Sequence, residues 1–179
     1  MRALRLLAVL GVTLALAGCG IGAQTVDFRT DAGQKQAVAA LTTATGGSTF
    51  ALVDFFSNHV TAVAPSKPGA TSYDDWYYRG GRATSVAPEQ DQPDASALFD
   101  VTKLDLSKIE PAMQKTLKLT GMTLNKDSYI VVQRFSAEGV PVTAPMIEVL
   151  LDDGYKQAYV MYDFDLNITQ KTGSFFETG

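Results

Sequence analysis

The residue types that carry acid–base, nucleophilic or metal chemistry are few in this chain, and the sites they suggest fail on spacing. His59 is the only histidine. As a general base or a metal ligand it would need partners from elsewhere in the fold, and it reads as a plain turn residue. Asp163-Phe164-Asp165-Leu166-Asn167 opens with the spacing of a calcium loop. Ile168 then stands where glycine must make the bend and Ser174 where a bidentate glutamate must close the site, so an acidic turn is the better reading. Asp74-Asp75 and Asp152-Asp153 are adjacent acids that a strand would point to opposite faces. Neither pair is a dyad by itself, although a dyad across strands stays open. No serine sits in a nucleophile elbow and no glycine-rich loop could cradle phosphate. Arg79-Gly80-Gly81-Arg82 reads as a hairpin turn rather than an anion site. The expectation is a protein that is not an enzyme and uses neither metal nor cofactor.

One patch could bind. In Tyr73-Asp74-Asp75-Trp76-Tyr77-Tyr78-Arg79, strand alternation places Tyr73, Tyr77 and Arg79 on one face, with Trp76 and Tyr78 on the other. Aromatic residues and arginine on an exposed sheet face suit a protein or sugar partner. The alternative is that these rings favour strands and fill the core with their polar tips wet. Tyr73, Trp76, Tyr77 and Arg79 are the candidate binding surface.

The elements that must position this patch repeat one pattern. A helix is expected from Asp31, with Gln34 three residues on as in a capping box and Gly46-Gly47 as its stop. A second is expected near Ser107, with Glu110 at the same offset, Ile109, Met113 and Leu117 on one face and Gly121 as the stop. Pro111 sits awkwardly for that start, and the regular helix could begin at Pro111 instead. Strands are expected over 49–56, 59–64, 72–79 and 82–86 after the first helix, and over 128–135, 146–151, 156–162 and 166–169 after the second. Helix starts and first strands recur at an interval of nearly eighty residues. The predicted fold is α+β: an antiparallel β-sheet with helices on one face, built from two α-β-β-β-β units spanning 31–87 and 98–170. Residues 87–97, with Pro88 and Pro93, form the linker between them. This layout, though no signature residue, is similar to the PepSY-type and β-lactamase-inhibitor-type domains of bacterial envelope proteins.

The beginning of the chain says where the protein works. Arg2 and Arg5 precede an apolar run from Leu6 to Ala17, the shape of a secretory signal. The run is shorter than the roughly 20 residues that a membrane span needs. It ends in Leu16-Ala17-Gly18-Cys19, which resembles the lipobox of bacterial lipoproteins. That resemblance implies removal of residues 1–18, a diacylglycerol on the Cys19 sulfur, a short tether over 19–30 and a single domain over 31–179. Two acyl chains, at ~0.8 kcal/mol per buried methylene, make a stable anchor where one would not. Cys19 is also the only cysteine, so lipidation leaves no bare thiol in an oxidising compartment and no disulfide for the fold to use.

Loss of Arg2 and Arg5 takes the formal charge from −4 to −6. Such an acidic domain is not suited to nucleic acid or to an anionic membrane surface. The functional expectation is a lipoprotein held through Cys19 on the extracytoplasmic face of the plasma membrane, or on the outer membrane of a host that has one. Its role would be a non-catalytic binding or accessory module for an envelope protein or wall polymer. The alternatives are a lipid or glycolipid carrier, which requires a large apolar cavity, and an inhibitor of an extracytoplasmic hydrolase.

Overall fold

The computed structural model describes residues 26–89, 92–135 and 141–177. Cys19, the lipobox and most of the tether lie outside the described residues. The main sheet has eight strands in the order β10-β9-β8-β7-β2-β3-β4-β5, every neighbouring pair antiparallel. The first half supplies β2 (Leu52–Phe55), β3 (Val60–Pro65), β4 (Tyr73–Arg79) and β5 (Arg82–Pro88) after helix α1 (Asp31–Thr45). The second supplies β7 (Tyr129–Phe135), β8 (Pro141–Asp152), β9 (Gln157–Tyr162) and β10 (Ile168–Thr172) after helix α2 (Ile109–Thr120). Two short strands, β1 (Thr49–Phe50) and β6 (Phe99–Asp100), pair separately, and a single turn, α3 (Ser174–Glu177), ends the described chain. The fold is the expected antiparallel α+β arrangement. Each half is a helix followed by a four-stranded meander, and the two join where β2 pairs with β7.

Both helices lie against the same face. Ala37, Val38 and Leu41 of α1 and Ile109, Ala112 and Met113 of α2 share one cluster with every second sheet residue, among them Val53, Phe55, Ile130, Val132, Ile147 and Val149. Leu41, Ile109 and Ile147 are fully enclosed, and each such side chain contributes roughly 2–3 kcal/mol relative to exposure. A polar bond in this layer joins Thr116 to the Tyr162 hydroxyl at 2.9 Å, which satisfies both buried groups.

The local chemistry explains several boundaries. The cap of α1 is Thr30, whose hydroxyl accepts the Gly33 N–H at 3.3 Å. The expected Asp31/Gln34 capping box is not formed, because Gln34 is buried and donates its amide to the Arg29 carbonyl. The second helix starts at Ile109, after a 3-10 turn capped by the Asp105 carboxylate. Pro111 therefore falls in the first turn, where its missing N–H costs nothing. Gly80 and Gly81, both at positive φ, make the tight turn between β4 and β5. The expected strand over 49–56 is split at Ala51, its first two residues pairing with β6 instead. Leu150, which breaks the alternation of β8, is 6% exposed on the face away from the helices, so that strand buries side chains on both sides.

Candidate functional site

The face turned away from the helices is where side chains of unusual type gather. Register fixes its middle row. Tyr77 on β4 pairs with Thr61 on β3, Thr61 with Asp54 on β2, Asp54 with Val131 on β7, and Val131 with Glu148 on β8. Two acids thus stand on one face with a single strand between them, about 10 Å apart at the backbone by the inter-strand spacing. Neither acid belonged to the expected surface. Asp54 is isolated from other acids in sequence and Glu148 looks like the polar half of an alternating strand, so only register reveals them as a pair.

Both carboxylates are withdrawn from water. The Thr61 hydroxyl donates to Asp54 Oδ2 at 2.9 Å, while Oδ1 is buried with no hydrogen-bond partner among the described residues. Gln133 donates to Glu148 Oε2 at 3.0 Å, and Glu148 is 8% exposed. Burial pushes the Asp54 carboxyl up to about 6, opposed by the Thr61 bond and reinforced by the charge of Glu148. Burial likewise raises Glu148, against the bond from Gln133. Tyr129 is raised by burial and then by the charges of Asp54, Tyr159 and Glu148, so these groups share one low-dielectric neighbourhood.

One strand step further along, four rings stand in a row across the sheet. Phe56 and His59 are stacked with centroids 4.3 Å apart, Phe56 and Tyr129 at 4.8 Å, and His59 and Tyr77 at 5.0 Å. The order Tyr77–His59–Phe56–Tyr129 crosses from the first meander into the second. Burial and the nearby Arg79 lower the His59 pKa, which favours the neutral ring in the stack. His59 and Phe56 stack on both sides, while Tyr77 and Tyr129 end the row with one stacked face each.

At the opposite end of the carboxylate row lies a cavity of about 380 Å³. Its floor is Leu52, Val63 and Gln133, and its roof is Gln92, Pro93 and Asp94 from the crossover that leaves β5. Gln92 pins this crossover by accepting the Tyr73 N–H at 2.7 Å and donating to the Tyr73 carbonyl at 3.2 Å.

The structure separates the four residues of the expected surface. Tyr77 joins the ring stack, Arg79 is exposed beside it, and Tyr73 is 9% exposed beneath the crossover. Trp76 points to the helix side, is buried in the core and donates its indole N–H to the Pro65 carbonyl at 3.2 Å. It does not share a surface with Tyr77, as the strand period requires. Asp163 spends both oxygens inside its own turn, accepting the N–H groups of Asp165 and Asn167 and the Asn167 amide. Among the described residues no three histidine, cysteine, aspartate or glutamate side chains are grouped to hold a metal ion, and no helix is long and apolar enough to cross a membrane. No known protein family, curated protein or solved structure matches the chain.

Proposed function

We propose that the protein is a lipoprotein held at the extracytoplasmic membrane surface through Cys19, and that the sheet face away from its helices is a non-catalytic binding surface for an envelope protein or wall polymer. The observation that carries this reading is the company kept by Asp54 and Glu148. A fold gains nothing from two desolvated acids in electrostatic contact, one with an unpaired oxygen, since burying such groups costs several kcal/mol. Groups held at that cost beside a rigid aromatic row suit recognition, because perturbed carboxyls collect at functional sites. Nothing in the arrangement sets a nucleophile against a base, which keeps the reading to binding.

The test uses the full chain in intact cells, with a photo-crosslinking amino acid at Tyr77 and, separately, at exposed Lys118 on the helix side. Crosslinks to one envelope component from position 77, absent from position 118 and lost with Cys19→Ser, support the proposal. Digestion with proteases or wall hydrolases then tells protein from polymer. Equal crosslinking from both faces, or none from position 77, defeats it.

A further inference from the structure

We infer that the cavity under the crossover and the Asp54–Glu148 pair form one continuous site for an organic ammonium group carried on a short apolar chain. This deepens the binding reading given above and rests on it.

Continuity comes from the strands. Leu52 in the cavity floor and Asp54 are consecutive residues on the same face of β2, as are Val63 and Thr61 on β3, a step of about 7 Å along each strand. Gln133 belongs to both parts, lining the cavity and bonding the Glu148 carboxylate. An apolar chain of a few carbons lying on Leu52 and Val63 therefore delivers its charged end to the two acids.

The sign of the ligand's charge follows from what the pair lacks. Asp54 Oδ1 is enclosed and accepts no hydrogen bond. Among the described residues neither acid has an ion-pair partner: Arg29 bonds Asp27 and the carbonyls of Asn125 and Ser128, Arg134 bonds the carbonyls of Leu98 and Thr143, and Arg79, the cation on this face, stands beside His59. Asp94 adds a further acid at the cavity roof. A divalent metal fits poorly, because hard cations need more oxygen ligands than two carboxylates set a strand apart supply. An ammonium group brings three donors, enough for Asp54 and Glu148 together. The cavity volume, about 380 Å³, lies in the range of small-ligand sites.

The test is calorimetric titration of the full chain in detergent with n-pentylammonium chloride, with n-pentanol as the uncharged control. Pentylammonium is expected to bind and pentanol to bind at least about tenfold more weakly. Asp54→Asn and Glu148→Gln, each checked for fold by circular dichroism, are expected to weaken pentylammonium about 10- to 100-fold, the usual loss of a hydrogen bond to a charged group. A second reading does not depend on the variants. Glu148 on β8 and Tyr129 on β7 are the titratable groups that interact with Asp54, and Thr61 on β3 faces it as a hydroxyl. The ammonium stays charged throughout the acid range, so affinity should rise as pH increases through about 6 and should rise less in Asp54→Asn. A capped Gly-Lys-Gly peptide separates sources. If it binds as pentylammonium does, the site takes a lysine side chain of a partner; if only pentylammonium binds, it takes a free amine. Pentanol binding as well as pentylammonium, affinity indifferent to both substitutions and to pH, or no binding at all overturns the inference. Crosslinking from position 77 that persists in Asp54→Asn would leave the partner surface standing while the ammonium site falls.

Discussion

The Glu110 carboxylate accepts the backbone N–H of Asp31 at 2.9 Å, so a side chain in the first turn of α2 caps the first turn of α1. Thr30 already takes the Gly33 N–H, and Glu110 satisfies another of the four donors that a helix start leaves open. The bond spans 79 positions and ties one helix–meander half to the other. The acid also meets the positive end of the α1 dipole. Glu110→Ala is expected to lower stability by about 1 kcal/mol, with Glu110→Gln losing less because its amide oxygen still accepts. Urea denaturation measures both, and equal stability of all three proteins would show that the cross-half cap contributes nothing.

Gly33 reverses an ordinary rule. An alanine inside a helix usually stabilises by ~1 kcal/mol over glycine. Here an added Cβ would meet the Asp27 carbonyl oxygen and come within 2.8 Å of Phe28 Cα, both of them backbone. That backbone is held in turn by the Arg29 bonds to Asp27 and by the Thr30 hydroxyl on the Asp27 carbonyl. Gly33→Ala is therefore expected to destabilise, by about 1–3 kcal/mol as overpacking does. A higher melting temperature for the alanine variant would mean that the segment before α1 yields freely.

The layout was legible because it depends on local signals. Turn glycines at 80, 81 and 154, stop glycines at 46 and 121, and two-residue alternation place nearly all the strands and both long helices. What escaped was whatever depends on distant partners. Gln34 stands at the spacing of a capping box, but its amide donates to the Arg29 carbonyl instead. The first strand looks continuous until β6 captures its opening residues. Asp54 and Glu148 lie 94 positions apart in the chain, and only the β2–β7–β8 register sets them side by side. The aromatic strand gave half of its surface: period two correctly divides Tyr77 from Trp76 but does not say which face the helices take.

The Asp54 carboxyl sets the direction of the pH dependence near neutrality. Its folded value, about 6, lies above its ordinary 3.8, so the folded state binds more protons than the unfolded one in between. Stability should fall as pH rises from about 4 to about 6 and then level off, by linkage. A shift of this size corresponds to about 3 kcal/mol at 1.36 kcal/mol per unit, reduced by whatever solvent reaches the group. Glu148 is shifted the same way and adds to the slope. Burial is the largest single influence on Asp27 and raises it, but the two hydrogen bonds and the charge of Arg29 together outweigh it and hold the carboxyl low, so Asp27 acts oppositely, losing its contribution as pH drops below the ordinary carboxyl range. Asp54→Asn keeps an acceptor for Thr61 and removes the buried charge. It should stabilise the protein at pH 7.5 by about 1–2 kcal/mol and flatten the slope between pH 4 and 6. Denaturant midpoints across that range measure it, and an unchanged slope would mean that the Asp54 carboxyl is not held above its ordinary range.

His59 reports on the ring row from within it. Its faces contact Phe56 and Tyr77, its Nδ1 lies 2.7 Å from Asn58 Oδ1, and burial and then Arg79 both press its pKa below the usual 6.5. Its single imidazole signal should therefore titrate below that value in proton–nitrogen spectra, with no other histidine to confuse the assignment. Arg79→Ala removes the smaller of the two causes and should move the midpoint part of the way back while leaving the stack in place. Phe56→Ala removes the ring between His59 and Tyr129, opens the row to water and should move it further, because burial is the larger cause. Its two ring pairs are each worth about 0.5–1.5 kcal/mol beyond their buried area, so Phe56→Ala, at a half-buried position, should also lower stability by about 1–3 kcal/mol. A partner docking on this face would desolvate His59 further and lower its midpoint again. A midpoint at 6.5 that ignores both substitutions would place the imidazole in open solvent and dissolve the row as a rigid recognition element.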